Sequence, residues 1–310
     1  MLNTLIKKEV FFVKFPIIFP IIYIFILFSF PALETQLIFI TILLLAETHF
    51  GATWPFFINK VNYSYIKEKK INLVFFPFIV VLFCLLGFFL FKKLFLLVFF
   101  AANVFHVTRQ SFGVMNLYTQ NKVEKKNYVF AIYFFNFIFF LIAFFRFYIP
   151  LIKEDYLIIL NLIVVFSLLV LFIYNLSKFK FSENFLTMIT GVLIFYPVCF
   201  VSNPVHAIIM GVTMHYSQYL FLTNKVFNKR ASENGIKKKN LFNNFWFTII
   251  VYSTIMSILS IFGKHDSDTL KNILIIPIIG QMLHFYLDSQ LWKFSVSHNR
   301  ENILKHLKNT

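Results

Sequence analysis

The chain has 310 residues, of which 59% are hydrophobic, 47 are phenylalanine and 14% are charged. A soluble domain of this size could not cover so much apolar surface, and the mean hydropathy is +0.76, so the composition predicts a polytopic helical membrane protein. The net charge of +16 does not indicate nucleic acid, because the basic residues lie in short segments between apolar runs. There they act as orientation signals toward anionic membrane lipid.

Apolar runs and loop residues predict an all-α transmembrane bundle of about ten spans, which form one integral membrane domain over residues 1–310. The predicted spans are 11–31, 37–58, 73–91, 94–118, 128–149, 156–176, 185–201, 204–223, 245–263 and 272–292. Only Lys92 and Lys93 separate the third span from the fourth, which predicts a close hairpin. Cys84 and Cys199 both lie in apolar runs, which argues against a disulfide framework or a CxxC metal site.

The distribution of basic residues predicts the orientation of the chain. With a cytoplasmic N-terminus, the cytoplasmic segments hold 21 of the 29 Lys and Arg residues, whereas the opposite-side loops hold five. The positive-inside rule therefore places both termini in the cytoplasm, and we expect a bacterial inner membrane. The largest cytoplasmic element is the loop 224–244, which we expect to be solvated and partly mobile.

The polar stretch at residues 280–294, GQMLHFYLDSQLWKF, closes the last apolar run. Gln281, His284, Asp288 and Trp292 fall along one helical stripe, since residues three or four apart share a face. An ionisable pair inside a membrane span needs a partner, a metal or an aqueous cavity. Polar residues at the same depth on other spans would supply such partners.

Four histidines lie at a common depth on spans that run in the same direction. His49, His215 and His284 stand eleven, ten and nine residues before the next cytoplasmic lysine, and His106 stands sixteen before it on a longer span. These four are predicted to share one metal ion. His206 begins its span near the opposite face and is left out. Three further histidines in loops or the tail are expected to titrate freely in water: His265, His298 and His306.

Other polar residues accompany these histidines. Arg109 and Gln110 share a helical face with His106, and Gln218 and Tyr219 follow His215 by about one turn. Gln110, Gln218 and Tyr219 are expected to contact the metal ligands or the substrate. Arg109 is expected to bind a head group or to neutralise Asp288.

The carboxylates in the predicted spans are Asp288 and Glu47 alone. Asp288 is expected to orient a ligand or to bind the metal directly. Glu47 is two positions from His49 and therefore points elsewhere on an ideal helix, whereas Thr53 follows His49 by one turn. A lone histidine in a span is more often a hydrogen-bonded packing residue, but four at one depth favour a shared site.

Neutral imidazoles with a nearby carboxylate suit Fe, Zn or Cu, and a histidine-rich site with open positions suits the oxygen chemistry of non-haem iron. We therefore expect Fe(II), while zinc and haem remain open on the same residues. No GxxxxGK[ST], GxGxxG, GxSxG or HExxH motif is present, which argues against nucleotide binding and serine hydrolysis.

Three of these segments carry a family resemblance. His49-Phe50-Gly51, His215-Tyr216 and the His284/Asp288 pair resemble motifs of the bacterial membrane β-carotene dioxygenase family, the Brp/Blh-like proteins. The family's early Pro-His-Gly-x-x-x-Asp segment is missing, because the first span contains no histidine. The resemblance implies an all-helical enzyme whose histidine-bound iron uses O2 to cleave a carotenoid.

The sequence thus predicts a membrane metal-dependent oxygenase that acts on a lipophilic small molecule from the bilayer. The main alternative is a proton-coupled transporter with a buried relay of His, Asp and Arg. A membrane acyl or prenyl transferase with a catalytic histidine and a metal-free structural subunit are further alternatives. Intramembrane acidic residues are too few for a diphosphate site of the transferase kind.

Overall fold

A computed structural model describes residues 8–58, 60–179, 181–233, 244–263 and 268–308, and all secondary structure in these ranges is helical. In chain order the α-helices are α1 (Ile18–Ser29), α2 (Glu34–Thr41), α3 (Glu47–Gly51), α4 (Trp54–Ile58), α5 (Lys60–Glu68), α6 (Phe76–Leu90), α7 (Lys92–Tyr118), α8 (Lys122–Ala143), α9 (Leu157–Lys178), α10 (Glu183–Leu193), α11 (Pro204–Glu233), α12 (Phe245–Phe262), α13 (Asp268–Lys271), α14 (Ile275–Leu291), α15 (Ser297–Asn299) and α16 (Lys305–Lys308). The prediction of an all-α chain is confirmed for the described residues.

Several α-helices are extended by π-helical or 3₁₀ turns, so that longer helices result. Within the described ranges, six helices are long and apolar enough to cross a membrane: Pro31–Phe57, Ile71–Leu90, Lys92–Tyr118, Lys122–Tyr148, Leu157–Lys178 and Phe245–Phe262. They coincide with six of the predicted spans, and their length and composition are those of transmembrane helices.

The other four predicted spans are helical but shorter, interrupted or more polar. α1 has 12 residues, α14 has 17, and α10 ends at Leu193 before a 3₁₀ turn at Tyr196–Cys199. α11 has 30 residues and continues to Glu233, so the first half of the predicted loop 224–244 is helix. Residues 234–243 lie outside the described part, and the ten-span topology stays a prediction.

The chain divides into two compact units. Unit 1 comprises Met1–Ile38 and Val104–Gln218, and unit 2 comprises Phe39–Asn103 and Tyr219–Thr310. Helices α7 and α11 each contribute their two ends to different units. The prediction of one integral membrane domain stays a prediction, and we describe each unit by itself.

In unit 1, side chains bind the backbone carbonyls at an interrupted helix. A π-helical turn at Val10–Lys14 ends just before Pro16, which has no N–H to continue the helix. Ser217 donates to the carbonyl of residue 12 (2.9 Å), Gln218 to that of residue 13 (2.7 Å), and Thr190 to that of Lys14 (2.9 Å). The amide of Gln218 thus supports the backbone, and its predicted role at the metal or substrate stays a prediction.

In unit 2, α3 packs along α12, and α6 packs along α14. Only Phe91 separates α6 from α7, which confirms the predicted hairpin. The close approach requires a glycine, because a Cβ at Gly87 would lie 2.6 Å from the Phe95 ring. Phe95 packs there in a core with Cys84, Phe88 and Ile275.

The C-terminal segment of unit 2 packs on α5 and on the end of α11. The His298 ring stacks on Tyr65 with 3.9 Å between ring centroids. His298 Nε2 lies 3.0 Å from Asn62 Oδ1, which also accepts from Arg230 at 3.2 Å. Since an amide oxygen only accepts, His298 carries a proton on Nε2, and the Asn302 Nδ2 donor 3.4 Å from Nδ1 favours the neutral ring.

The expectation that tail histidines titrate freely in water is wrong for His298 and His306. Burial lowers the pKa of His298, the nearby Arg230 lowers it further, and Glu301 and Glu68 act in the opposite direction. Burial also lowers the pKa of His306, although Glu233 opposes the shift. His265 lies outside the described residues.

This arrangement predicts that acid releases the C-terminal segment. The pKa of His298 and of His306 in the folded protein lies below the usual 6.5, so the native state binds fewer protons than the unfolded segment. The stabilisation is therefore present above about pH 6.5 and is lost as the pH falls. The protection factors for amide hydrogen exchange of residues 297–307, which correct for the intrinsic pH dependence of exchange, should fall as the pH is lowered from about 7.5 to about 5.5.

A variant that carries both His298→Gln and His306→Gln is the matched control, because glutamine cannot take up a proton in this range. Its protection factors should show no step near pH 6. A wild-type segment with equal protection factors at both pH values would contradict the assignment.

Candidate functional site

Unit 2 contains a cluster of buried polar side chains, which we name the His49 group. Its members come from α3, the turn after α3, α11 and α14 and its C-terminal cap: His49, Thr53, Tyr219, His284, Asp288 and Trp292. All except the half-buried Trp292 are at most 4% exposed. The ring centroids of His49 and His284 lie 4.5 Å apart, and the ring centroids of His49 and Tyr219 lie 4.4 Å apart.

A helix break places Thr53 in this group. α3 ends at Gly51 and α4 begins at Trp54, because the ring of Pro55 would clash with the carbonyl of Gly51 in a continuous helix. The Thr53 hydroxyl lies 2.6 Å from His284 Nδ1 and 3.0 Å from the Tyr219 hydroxyl. The break therefore turns a threonine of the chain's second apolar run toward helices α11 and α14.

The hydrogen bonds of the His49 group form a chain with a defined direction. Asp288 Oδ1 accepts from the Tyr219 hydroxyl at 2.5 Å and from Trp292 Nε1 at 2.6 Å. Because Tyr219 gives its only proton to Asp288, Thr53 donates to the Tyr219 oxygen, and His284 Nδ1–H donates to Thr53. This assignment gives His284 the Nδ1–H tautomer, with the lone pair on Nε2.

In unit 1, His106 on α7 and His215 on α11 form a second buried pair, which we name the His106 pair. Their ring centroids are 5.8 Å apart and the ring planes are nearly perpendicular, at 88°. His106 is 7% exposed and His215 is 1% exposed.

The structure thus places all four predicted ligands and Asp288 among buried residues, with two histidines in each unit. Gln110 is half-buried and Arg109 is exposed, both on the part of α7 that belongs to unit 1. The ion pair of Arg109 with Asp288 and the sharing of one metal by four histidines both join residues of different units. Both stay predictions.

No sequence pattern predicted the hydrogen-bonded chain of Tyr23, His206 and Glu34, which we name the His206 chain. His206 Nδ1 lies 2.7 Å from the Tyr23 hydroxyl, and His206 Nε2 lies 2.7 Å from Glu34 Oε1. Placing His206 apart from the four predicted ligands is consistent with this arrangement. No spacing signal marks Tyr23 or Glu34, because both are far from His206 in the sequence.

Together, these helices and groups define an all-helical protein of transmembrane character whose buried histidines and aspartate could bind a metal ion. Comparison with models of known protein families, with curated proteins and with solved structures finds no match.

We expect Thr53→Val to disrupt the His49 group. The change removes the hydroxyl that links His284 to Tyr219 while it keeps the size of the side chain, so it should destabilise the protein by about 1–3 kcal/mol. Nitrogen NMR of histidine-labelled protein should show a changed tautomer balance at His284. Thermal unfolding in detergent gives the stability.

Thr48→Val is the matched control. Thr48 is equally buried, but its hydroxyl donates only within its own helix, to the carbonyls of residues 44 and 45. A Thr53→Val protein that is as stable as Thr48→Val and keeps the wild-type tautomer at His284 would contradict the assigned hydrogen bonds of the His49 group.

Proposed function

We propose that the protein is an integral membrane metal-dependent oxygenase whose ligands are His49, His106, His215 and His284. The observation that carries the proposal is the hydrogen-bonded chain of the His49 group, in which Asp288, Tyr219 and Thr53 fix His284 as the Nδ1–H tautomer. A histidine ligand typically donates its second ring N–H in this way, which fixes the ring and raises its basicity.

In the proposed metal site, four residues of the His49 group would have separate roles. His284 would bind through Nε2, and Thr53 and Tyr219 would orient it. Asp288 accepts two short hydrogen bonds on one oxygen, so it serves as the anion at the end of the chain. Tyr219 is accordingly proposed as an orienting residue.

Buried, neutral imidazoles such as those of the His106 pair suit Fe, Zn or Cu. We propose Fe(II) because the motifs at His49, His215 and His284 resemble those of the Brp/Blh-like family. Bound iron would supply the activation of O2, and the protein would supply a site from which water is excluded. Gln110 and Arg109 are proposed to contact the substrate or its head group.

A lipophilic substrate fits the surface of the helices. α6 and α9 expose large apolar side chains along much of their length, among them Phe78 and Phe166. The bilayer would cover these faces and deliver an apolar molecule laterally. By its family resemblance, we propose oxidative cleavage of a carotenoid to retinal.

Replacement of any one proposed ligand by alanine should lower the metal content and the oxygenase activity together, since each change removes one coordination bond. Thr53→Val should lower the metal affinity about 10–100-fold while leaving every ligand in place. Metal analysis of detergent-purified protein measures the first effect, and titration of the metal-free protein with Fe(II) measures the second.

His206→Ala is the control, because both ring nitrogens of His206 are already hydrogen-bonded within unit 1. This variant should keep its metal per folded protein. Full metal occupancy after replacement of both His49 and His284 would show that these imidazoles only pack and hydrogen-bond.

For the topology, we propose ten spans with both termini in the cytoplasm of a bacterial inner membrane, on the basis of 21 basic residues against five. A cysteine at Lys237 should resist a membrane-impermeant thiol reagent in intact cells, whereas one at Lys153 should react. The buried Cys84 and Cys199 give little background. Reaction at position 237 would contradict the proposed topology.

A proton-coupled transporter is the second candidate, because each unit contains an interrupted helix. The interruptions fall at residues 52–53 in unit 2 and after Leu193 in unit 1, and broken helices near buried polar groups are typical of transporters. A metal-free wild-type protein that carries protons with a solute in proteoliposomes would favour this function.

A further inference from the structure

The His206 chain connects an exposed carboxylate with a buried hydroxyl. Tyr23 on α1 is 3% exposed and His206, in the first turn of α11, is 1% exposed. Glu34, at the start of α2, has 46% of its side chain exposed. These groups belong to unit 1, and Glu34 and His206 lie beside the predicted ends of spans opposite the termini.

For a neutral His206 imidazole beside the Glu34 carboxylate, the hydrogen bonds define which atoms carry the protons. A carboxylate only accepts, so His206 Nε2 carries the proton that is shared with Glu34 Oε1 at 2.7 Å. His206 Nδ1 then accepts from the Tyr23 hydroxyl at 2.7 Å. Every group in the chain can both give and take a proton, and each bond is short enough for transfer.

Asn203 holds the exposed end of the chain in place. Its Nδ2 donates to Glu34 Oε1 at 3.3 Å, while its Oδ1 accepts from the backbone N–H of Val205 at 2.9 Å and caps α11. The cap fixes the helix end that carries His206. The carboxylate is therefore positioned by two donors while it stays open to solvent.

We propose that Tyr23, His206 and Glu34 form a proton relay between water at the Glu34 carboxylate and the buried Tyr23 hydroxyl. In one transfer the Tyr23 O–H bond breaks as Nδ1–H forms, and the Nε2–H bond breaks as Glu34 O–H forms. The imidazole stays neutral with its proton on the other nitrogen, Glu34 releases the proton to water, and Tyr23 is left as the phenolate until a proton returns. The reverse sequence brings a proton in.

A structural role alone does not need this composition. Hydrogen bonds that only join α1, α2 and α11 could be made by amides, without the cost of placing ionisable groups in apolar helices. Ionisable residues in such positions frequently mark proton pathways. The relay does not depend on metal binding by the His49 group or the His106 pair, so its test fails or succeeds separately from the proposed oxygenase function.

Exchange of the Tyr23 hydroxyl proton with water tests the relay. Carbon-13 at tyrosine Cζ reports the O–H and O–D forms in mixed H2O and D2O, and Tyr23→Phe assigns the signal. The Tyr23 hydroxyl should exchange faster than that of Tyr219, which is similarly buried but donates to the buried Asp288. This comparison uses the unaltered protein.

Glu34→Gln keeps an oxygen that can accept from His206 but removes the group that carries the proton to water. It should slow exchange at Tyr23 by about a hundredfold or more and leave Tyr219 unchanged, whereas Glu34→Asp should restore part of the rate. A Tyr23 hydroxyl that exchanges as slowly as Tyr219, or an unchanged rate in Glu34→Gln, would overturn the relay.

Discussion

Polar groups inside apolar helices must find hydrogen-bond partners within the protein, because lipid offers none. This requirement accounts for much of the side-chain hydrogen bonding in both units. In unit 1 it directs Ser217, Gln218 and Thr190 to the carbonyls at the end of the π-helical turn. In unit 2 it joins Asp288, Tyr219, Thr53 and His284 in one directed chain, which sets the tautomer of a candidate ligand.

Proline decides where such partners are needed. Pro55 ends α3, and the buried Thr53 side chain in the following turn faces α11 and α14. In unit 1, α10 gives way to a 3₁₀ turn that contains Pro197, and Arg146 donates to the carbonyl of Val198 at 2.7 Å. Thus the helix breaks that weaken a span are also the places where polar side chains from distant segments meet.

The sequence predicted the helices well because apolar length and turn residues are local signals. Six spans and the hairpin at Lys92 agree with the structure within a few residues. The common depth of the four histidines stays a prediction, which rests on the helical rise that converts sequence spacing into distance. The hydrogen-bond partners of the polar side chains could not be predicted from the sequence, because a hydrogen bond such as that between Tyr23 and His206 depends on which helices pack together. The same reason explains why His298, expected in water, instead stacks on Tyr65.

The ring nitrogens of the histidines separate their roles. A metal needs a nitrogen lone pair, and a histidine that uses both nitrogens within the protein has none to offer. His206 uses both, with Tyr23 and Glu34, and His298 lies between Asn62 and the side chain of Asn302. His284 donates Nδ1–H to Thr53, so its lone pair is on Nε2. The donors and acceptors that neighbouring helices place beside each buried histidine thus determine which ring nitrogen carries the proton, and the relay proposed for His206 and the ligation proposed for His284 both rest on that difference.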